Sequence, residues 1–358
     1  GEIESLGLLI EEQRTNFALR SQEFNLSPNA AANASISPNA AIAPDGTLTA
    51  DKLVEDNISS IYKRVQQGGF TVSGDYTVSF FVKEAGRYKG YIQLLNTTNA
   101  SVTFNLQNET VSGVVQSRSK IEKYPNGWYR ISTSNTFNAG ETPTVYIVML
   151  NDSGSPNYVG DGSSGLFIWG LQVEAGAFPT SYIPTEGSTI TRTADNASIT
   201  GSNFTEWYNQ SEGTLFFIGS NQYVSTTTGN TKGFVVINDS SSNTRIDFRQ
   251  RIIYSILSSN GTNVSWSGIS TPTNITDITD SSFQKVGMTY SSNSHAQAQN
   301  GYLTRTSTTP IEPINATRLA FFVRDSQTSP VGEVGGHIAQ LTYYPNRLTN
   351  SQLVSLTR

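Results

Sequence analysis

The chain has 358 residues, of which 36% are hydrophobic and only 14% charged, and its formal net charge at pH 7 is −5. This length is too great for one ordinary hydrophobic core and fits two domains. The negative charge and the lack of any run of four basic residues argue against nucleic acid as a partner, since phosphate binding needs clustered lysine and arginine. The absence of cysteine excludes disulfides, thiolate catalysis and cysteine-ligated zinc.

No apolar run approaches the roughly 18 residues that span a bilayer, so we expect no membrane insertion. The chain starts with glycine, and no signal-peptide core follows it. We expect it to be a portion of a longer protein with an anchoring region upstream.

The composition predicts an all-β protein. The 16 tyrosines and 17 phenylalanines favour strands, while the 30 glycines and the abundant serine and asparagine favour turns. In chain order, residues 1–20 mix apolar and charged residues and are predicted to be an N-terminal connector.

A ladder of short strands follows the connector. The predicted strands are residues 74–83, 88–95, 101–106, 111–115, 127–132 and 145–150. The first alternates well and the last is a fully apolar run typical of a central strand. Spacings near ten residues with turns between them predict a sandwich rather than βαβ units. We assign residues 21–187 to this first domain.

The segment Gly165–Thr185 closes the first domain. It begins as a strand that is apolar on both faces and ends at Pro179 and Pro184, which stop strand pairing. A period of two predicts that Phe167, Trp169 and Leu171 share one face, with Trp169 in the core.

A second ladder fills residues 188–358, the predicted second domain. Its strands are predicted at residues 213–218, 234–237, 245–248, 252–257, 264–267, 283–290, 301–306, 319–323 and 336–344. Asn300-Gly301 suits a primed hairpin turn. A short terminal helix is predicted, capped by Thr349 or Asn350, with Leu353 and Leu356 facing inward. The fold class is therefore two tandem antiparallel β-sandwich, or jelly-roll, domains.

Several segments resemble bacteriophage tail-fibre and other virion surface proteins, in which a carbohydrate-binding-module-like sandwich precedes a concanavalin A/laminin G-like one. The matching segments are Gly7–Asn16, Ala43–Thr47 with Ala50–Leu53, Asn126–Arg130, Gly165–Thr185, Thr191–Asp195 and Trp207–Thr214. Residues 86–125 and 219–280 show no such resemblance and look specific to this chain. The matched segments resemble scaffold, so the resemblance carries over no binding residue.

Concanavalin A-like folds also include hydrolases and lyases, but their motifs are missing here. No Glu-x-Asp-x-x-Glu strand places two carboxylates on one face, and neither His295 nor His337 has a Gln-x-His neighbourhood. No Gly-x-Ser-x-Gly elbow accompanies either histidine. We expect no enzyme activity, and we interpret both histidines as surface or satisfied polar residues.

No cofactor is required by any motif, although a structural calcium is an open alternative. The candidate ligands are loop residues, namely Asn151, Asp152, Asp161, Asp239 and Asp325. Plain solvated turn residues are the favoured interpretation for each.

Sugar binding needs aromatic faces and fixed polar groups. In these two chain-specific regions the aromatic candidates are Tyr88, Tyr91, Tyr254 and Trp266. The candidate donors toward acidic or neutral glycans are Arg249, Arg251, Arg318 and Arg324. Core or subunit interface is the favoured interpretation for each aromatic except Trp266, which lies between two serines near a loop.

These observations leave three hypotheses. The first is a non-catalytic fibre or decoration protein at the virion surface, a homo-oligomer and in particular a homotrimer, that adsorbs to bacterial surface polysaccharide. The second is a structural virion protein that packs on other virion proteins without binding sugar. The third, disfavoured by the missing motifs, is a polysaccharide depolymerase.

Overall fold

The computed structural model describes residues 7–95, 100–113, 118–221, 233–239, 245–249, 254–259, 262–265, 283–323 and 335–358. The chain divides into two compact units. One is Arg14–Arg192, and the other combines Gly1–Gln13 with Thr193–Arg358.

Strands account for nearly all regular structure up to residue 192. They are β1 (Leu8–Ile10), β2 (Arg14–Asn16), β3 (Ala30–Ala32), β4 (Ala34–Ala41), β5 (Ala50–Glu55), β6 (Ser59–Ile61), β7 (Arg64–Gln67), β8 (Val72–Ala85), β9 (Lys89–Leu95), β10 (Ala100–Asn105), β11 (Thr110–Gly113), β12 (Ser119–Lys123), β13 (Tyr129–Glu141), β14 (Thr144–Leu150), β15 (Asn157–Val159), β16 (Gly165–Ala175) and β17 (Ile190–Arg192).

Two six-stranded sheets form the unit Arg14–Arg192. Sheet I has the order β11-β10-β9-β14-β7-β3, and sheet II has the order β12-β13-β8-β16-β5-β4. All pairings within them are antiparallel. The predicted apolar strand over residues 145–150 is confirmed as β14, which lies inside sheet I between β9 and β7.

Alternating side chains of the two sheets meet in one core. Val78 and Phe80 of β8 point inward, as the alternation predicts, and the Phe80 ring lies 6.0 Å from that of Phe104 on β10. Ile92 of β9 and Ile147 of β14 complete this layer without exposure to solvent. Burial of large apolar side chains from both sheets is the main stabilising contribution to a sandwich.

The predicted face for Phe167, Trp169 and Leu171 is wrong for Leu171. Gly170 has a φ of +66°, and the pairing of β16 with β8 shifts register between Trp169 and Gln172. This bulge turns Leu171 into the core, while Phe167 and Trp169 belong to an aromatic cluster on the outer side of sheet II. An extra residue in one strand reverses the side-chain parity beyond it.

Two further sheets form the unit that contains residues 193–358. Its elements are β18 (Ser198–Thr200), α1 (Ser202–Thr205), β19 (Gly213–Asn221), β20 (Gly233–Asn238), β21 (Arg245–Arg249), β22 (Tyr254–Ser259), β23 (Thr262–Ser265), β24 (Gln284–Tyr290), β25 (His295–Gln299), β26 (Tyr302–Ser307), β27 (Arg318–Val323), β28 (Gly336–Tyr344) and α2 (Asn350–Leu356). Sheet III has the order β1-β28-β19-β24-β25-β26, and sheet IV the order β18-β27-β20-β21-β22-β23.

Sheets III and IV bury a second core. Its inward residues include Phe217 and Met288 from sheet III and Ile237 and Leu319 from sheet IV. The tandem antiparallel sandwich architecture predicted from the composition and the spacing of strands is therefore observed.

Part of the expected connector forms strands. β1 pairs with β28, and β2 pairs with β17. Backbone pairing thus orders residues 8–10 and 14–16, each within its own unit. The mixture of apolar and charged residues over 1–20 did not indicate these pairings.

The terminal helix follows its predicted signals. Thr349 caps α2 in a capping box, accepting from the backbone N–H of Gln352, whose side chain accepts from the backbone N–H of Thr349. Leu353 is fully buried, whereas Leu356 is only partly buried. Asn300 and Gly301 both have positive φ and connect β25 to β26, as predicted for a primed turn. Among the described residues, no helix is both long and apolar enough to cross a membrane.

Candidate functional site

The outer side of sheet I carries aromatic and amide side chains in register. Tyr91 of β9 lies opposite Val148 of β14, which lies opposite Arg64 of β7. In the next row Gln93, Tyr146 and Gln66 are aligned in the same way. The residues between them along the strands, such as Ile92 and Ile147, face the core, so these two rows face outward.

Arg64 lies between two tyrosine rings on this face. Its Cζ atom is 4.7 Å from the centre of the Tyr146 ring and 5.8 Å from that of Tyr62. Its Nε donates a 2.9 Å hydrogen bond to Oε1 of Gln66. A guanidinium within about 6 Å of aromatic rings is attracted by their quadrupoles. These contacts hold the guanidinium beside the two tyrosine rings at the surface.

Tyr62 is held outward by its backbone. Its φ is +62°, a region that non-glycine residues seldom occupy, and its N–H donates to the carbonyl of Pro156 at 3.2 Å. The side chain is 43% exposed. The cost of this conformation is compatible with a functional position, since strained backbone clusters at binding sites.

Tyr91 is half-buried beside these residues. Burial is the main cause that raises the pKa of its phenol to about 12, with a further rise from Tyr62 and an opposing effect from Arg64. The phenol therefore stays protonated at neutral pH and can donate a hydrogen bond. We call the set Tyr62, Arg64, Gln66, Tyr91, Gln93 and Tyr146 the tyrosine face.

The six strands of sheet I contain no aspartate or glutamate. Their charged residues are Arg64 and Lys89. Lys89 donates from Nζ to the carbonyl of Asp152 and lies 5.4 Å from the Tyr88 ring. In a protein of net charge −5, the strands of this sheet therefore carry only positive charges.

The outer side of sheet II is covered instead. Residues 176–187, which we call the strap, return over the strand that precedes them. Glu174 accepts from the backbone N–H of Thr180 at 2.9 Å and from its hydroxyl at 2.7 Å. Gln172 Oε1 accepts from the N–H of Ile183 at 2.7 Å. The Gly165–Thr185 segment therefore forms both the strand β16 and most of the strap that covers the outer side of that strand.

Aromatic residues fill the space beneath the strap. The Trp169 ring lies 4.5 Å from that of Tyr182 and 5.3 Å from that of Phe81. Arg130 is buried and donates from Nη2 to the carbonyl of Thr180 at 2.7 Å. No ligand could reach these rings without displacing the strap.

The predicted sugar-binding residues have different locations. Tyr91 is on the tyrosine face, whereas Tyr88 is partly buried against the core. Arg249 on β21 and Tyr254 on β22 are register partners.

Three of the other candidates lie outside the described residues, namely Arg251, Trp266 and Arg324. Arg318 is buried, with its Nε donating to Asn238 at 2.7 Å.

Sequence reasoning missed Tyr62, Arg64, Gln66, Gln93 and Tyr146. A signal was present in Tyr62-x-Arg64-x-Gln66, because period-two spacing places three stacking or hydrogen-bonding residues on one strand face. The matching alternation over Tyr146 was hidden within an apolar run.

Three of the loop residues considered for calcium contact protein groups, namely Asp161, Asp152 and Asn151. Asp161 accepts from Ser163 and Ser164, and these hydrogen bonds, Ser164 foremost, hold its pKa well below the usual range. Asp152 lies 3.5 Å from an Nη of Arg87.

The remaining calcium candidates include Asn151, which accepts hydrogen bonds from Ser153 and Ser155. Asp239 follows β20, and Asp325 lies outside the described residues. The described part of the chain contains no group of three or more acidic or histidine residues placed to hold a metal.

The two histidines differ in setting. His295 is fully buried on β25, with Nε2 within 2.9 Å of the Thr309 carbonyl, and burial lowers its pKa. It is therefore not a surface residue. His337 on β28 is half-buried, and burial likewise lowers its pKa. Neither has the partners of a catalytic triad among the contacts described.

A cleft of about 610 Å³ lies beside the edge strand β4. Its lining includes Glu23, Asn39, Asp51, Glu186 and Ile190. Asp51 accepts from the backbone N–H groups of Phe24 and Asn39 at 2.8 and 2.9 Å, so it ties together the chain that forms the cleft floor. This is a structural role, and the cleft offers fewer aromatic faces than the tyrosine face.

No protein family model and no curated protein matches this chain. Among solved structures, it is similar to the binding domain of botulinum neurotoxin serotype G, with 15% identity and a TM-score of 0.35 over 45% of this chain and 40% of the toxin chain. It is also similar to domains LG4-5 of the mouse laminin alpha1 chain, with 11% identity and a TM-score of 0.30 over 83% of this chain and 88% of the laminin chain. The aligned part is thus less than half of the toxin chain.

Proposed function

We propose that this chain is a non-catalytic virion surface protein that adsorbs to bacterial surface polysaccharide through the tyrosine face. The virion assignment is supported by the ordered set of segments that resemble phage fibre proteins, from Gly7–Asn16 to Trp207–Thr214. Binding of a glycan is supported by one observation above all. Tyr91, Tyr146, two glutamines and an arginine lie in register on the outer side of sheet I, and Tyr62 lies beside that arginine.

The chemistry of this face suits a sugar chain. Tyrosine rings present apolar faces to the C–H groups of a pyranose, and the amides of Gln66 and Gln93 offer both donors and acceptors to its hydroxyls. Two residue rows along neighbouring strands form an extended surface rather than a closed pocket. An extended surface fits a polymer that continues in both directions.

Adsorption by such a face is weak for one copy and strong for several. We expect a homotrimer on the virion surface, because linked copies raise the apparent affinity without new contacts. No required cofactor is part of this proposal, and a structural calcium would act only on loop stability.

Binding is tested on an array of purified bacterial capsular and lipopolysaccharide glycans with the intact chain. Tyr91→Ala and Tyr146→Ala should each weaken binding by about tenfold or more, since stacking residues act as anchors. Tyr344→Ala is the matched control, because Tyr344 is a partly exposed tyrosine on β28 in the other unit.

The same experiment tests the competing sites and activities. Loss of binding in Trp266→Ala with unchanged binding in Tyr91→Ala would move the site to the second sandwich. Release of reducing ends from any bound glycan would overturn the non-catalytic assignment. A folded chain that binds no glycan on the array would contradict the proposal as a whole.

A structural virion protein is the second candidate, and an exposed strand edge favours it. β26 is the last strand of sheet III, and its Tyr302 and Leu303 are both exposed. Unpaired edge strands with apolar side chains can pair with another chain. Oligomers that dissociate in Leu303→Lys, without any glycan binding by the wild type, would support this candidate.

A further inference from the structure

We propose that the tyrosine face selects acidic saccharides, with the Nη edge of Arg64 pairing with the carboxylate of a sugar unit stacked on the neighbouring tyrosines. This inference rests on the glycan-binding function proposed above and specifies its substrate class.

Protein contacts hold Arg64 in place but leave its two Nη groups available to a ligand. Its Nε donates to Gln66, and neither Nη1 nor Nη2 donates to any residue that the structure describes. No carboxylate of the described chain forms a salt bridge with it. By contrast, the guanidinium of Arg87 is paired through Nε and Nη2 with Glu55 at 2.9 and 2.8 Å. Arg64 therefore retains two parallel donors for an external anion.

The geometry favours a planar carboxylate as that anion. Two parallel N–H donors match the two oxygens of a carboxylate in a bidentate pair. Tyr146 and Tyr62 flank the guanidinium at 4.7 and 5.8 Å, so a carboxylate bound there brings its own ring against a tyrosine. A hexuronic acid or another carboxylate-bearing sugar carries both a carboxylate and an apolar ring face.

Charge complementarity supports the same class. The six strands of sheet I carry Arg64 and Lys89 and no acidic residue, although the chain has 28 acidic and 23 basic residues. A neutral glycan would gain nothing from this segregation. An acidic polymer gains both a paired contact at Arg64 and attraction along the sheet.

The test measures binding of the intact chain to immobilised polygalacturonate, alginate and polysialic acid. Their carboxyl-methylated forms and dextran serve as neutral probes. Wild type should bind at least one acidic polymer about tenfold more tightly than its methylated form, because a charged bidentate contact is lost on esterification. Binding to the acidic polymer should also weaken as NaCl rises from 0.05 to about 0.5 M, since salt screens exposed charges.

Three substitutions separate a specific ion pair from general charge attraction. Arg64→Gln should reduce acidic-polymer binding by about tenfold, and Arg64→Lys should restore only part of it, because an ammonium cannot present two coplanar donors. Lys89→Gln removes the same charge from the same sheet at a position already bonded to Asp152. It should change binding by less than about threefold.

The outcomes distinguish this inference from the function on which it rests. Equal binding of acidic and methylated polymers, still lost in Tyr91→Ala, would overturn acid selectivity and leave glycan binding intact. Equal losses in Arg64→Gln and Lys89→Gln would overturn the paired contact. No binding to any acidic polymer, with binding to neutral glycans on the array, would also overturn the inference, and no binding to any glycan would overturn the function itself.

Discussion

The two outer sheet faces of the unit Arg14–Arg192 use the same residue types in opposite ways. Sheet II carries Phe81, Trp169 and Arg130 outward, and the strap buries all three. Sheet I carries Tyr62, Tyr91, Tyr146 and Arg64 outward, and these side chains remain partly or largely exposed.

The difference lies in the partners of the polar groups. Arg130 donates to Ser79 and to the Thr180 carbonyl, and the Trp169 N–H donates to Thr49 at 3.0 Å. On sheet I, the Nη groups of Arg64 have no such acceptor among the residues described. Aromatic residues beside an arginine thus indicate a binding face only under one condition. The condition is that no other segment of the chain covers the rings and accepts the hydrogen bonds of the arginine.

The largest expected effect lies beneath the strap. Trp169→Ala should lower the free energy of unfolding of this unit by about 4 kcal/mol, because it leaves a large cavity between Phe81 and Tyr182. Urea denaturation followed by far-UV circular dichroism measures this. A loss below about 1 kcal/mol would show that the cluster is not a packed core.

Glu174→Ala should cost about 3 kcal/mol, since it leaves the N–H and hydroxyl of Thr180 without their acceptor in a buried position. Gln93→Ala, an amide on the tyrosine face, is the control and should change stability by less than about 0.5 kcal/mol. Denaturation curves that shift equally for both variants would remove the distinction between covered and open faces.

A pH effect should come from Tyr182, a residue of the strap. Burial is the main cause that raises the pKa of Tyr182 to about 12, so the folded state keeps this proton after the unfolded chain loses it near pH 10. The contribution is therefore complete below pH 10 and is lost as pH rises to about 12.

Urea denaturation at pH 9 and 11.5 compares wild type with Tyr182→Phe. The stability advantage of wild type should shrink by at most about 2 kcal/mol between these pH values. A constant difference between the two proteins would contradict the raised pKa.

The smallest stability effect is expected on the open face. Tyr146→Ala should lower the free energy of unfolding by less than about 1 kcal/mol, because the ring is only partly buried. The same variant should lose about tenfold or more of its glycan binding. A large stability loss with unchanged binding would mean that the tyrosine face is structural.

Local patterns in the sequence predicted much of this molecule. The alternation of apolar residues predicted that Val78 and Phe80 of β8 face the core. Backbone preferences predicted the turn at Asn300-Gly301 and the helix cap at Thr349. Strand spacing and turn residues predicted two tandem sandwiches. These features depend on neighbours within a few residues, which the sequence displays directly.

The candidate site could be predicted only in part. Tyr91 was named, but its partners come from strands about 30 and 55 residues away along the chain, and register alone brings Arg64 and Tyr146 beside it. The bulge at Gly170 could not be predicted either, because an isolated glycine in a strand does not indicate which of the following side chains change face.

The sequence by itself determined the class of fold, the two cores and the punctuation of the strands, because these follow from hydrophobic periodicity and turn chemistry. The tertiary structure decided which aromatic faces are covered and which remain open. That choice depends on the strap, which returns over sheet II and buries Trp169, whereas Tyr91 and Tyr146 on sheet I stay partly exposed. Trp169 and Tyr146 are both aromatic residues of apolar strands, and their different roles follow from what packs over each of them.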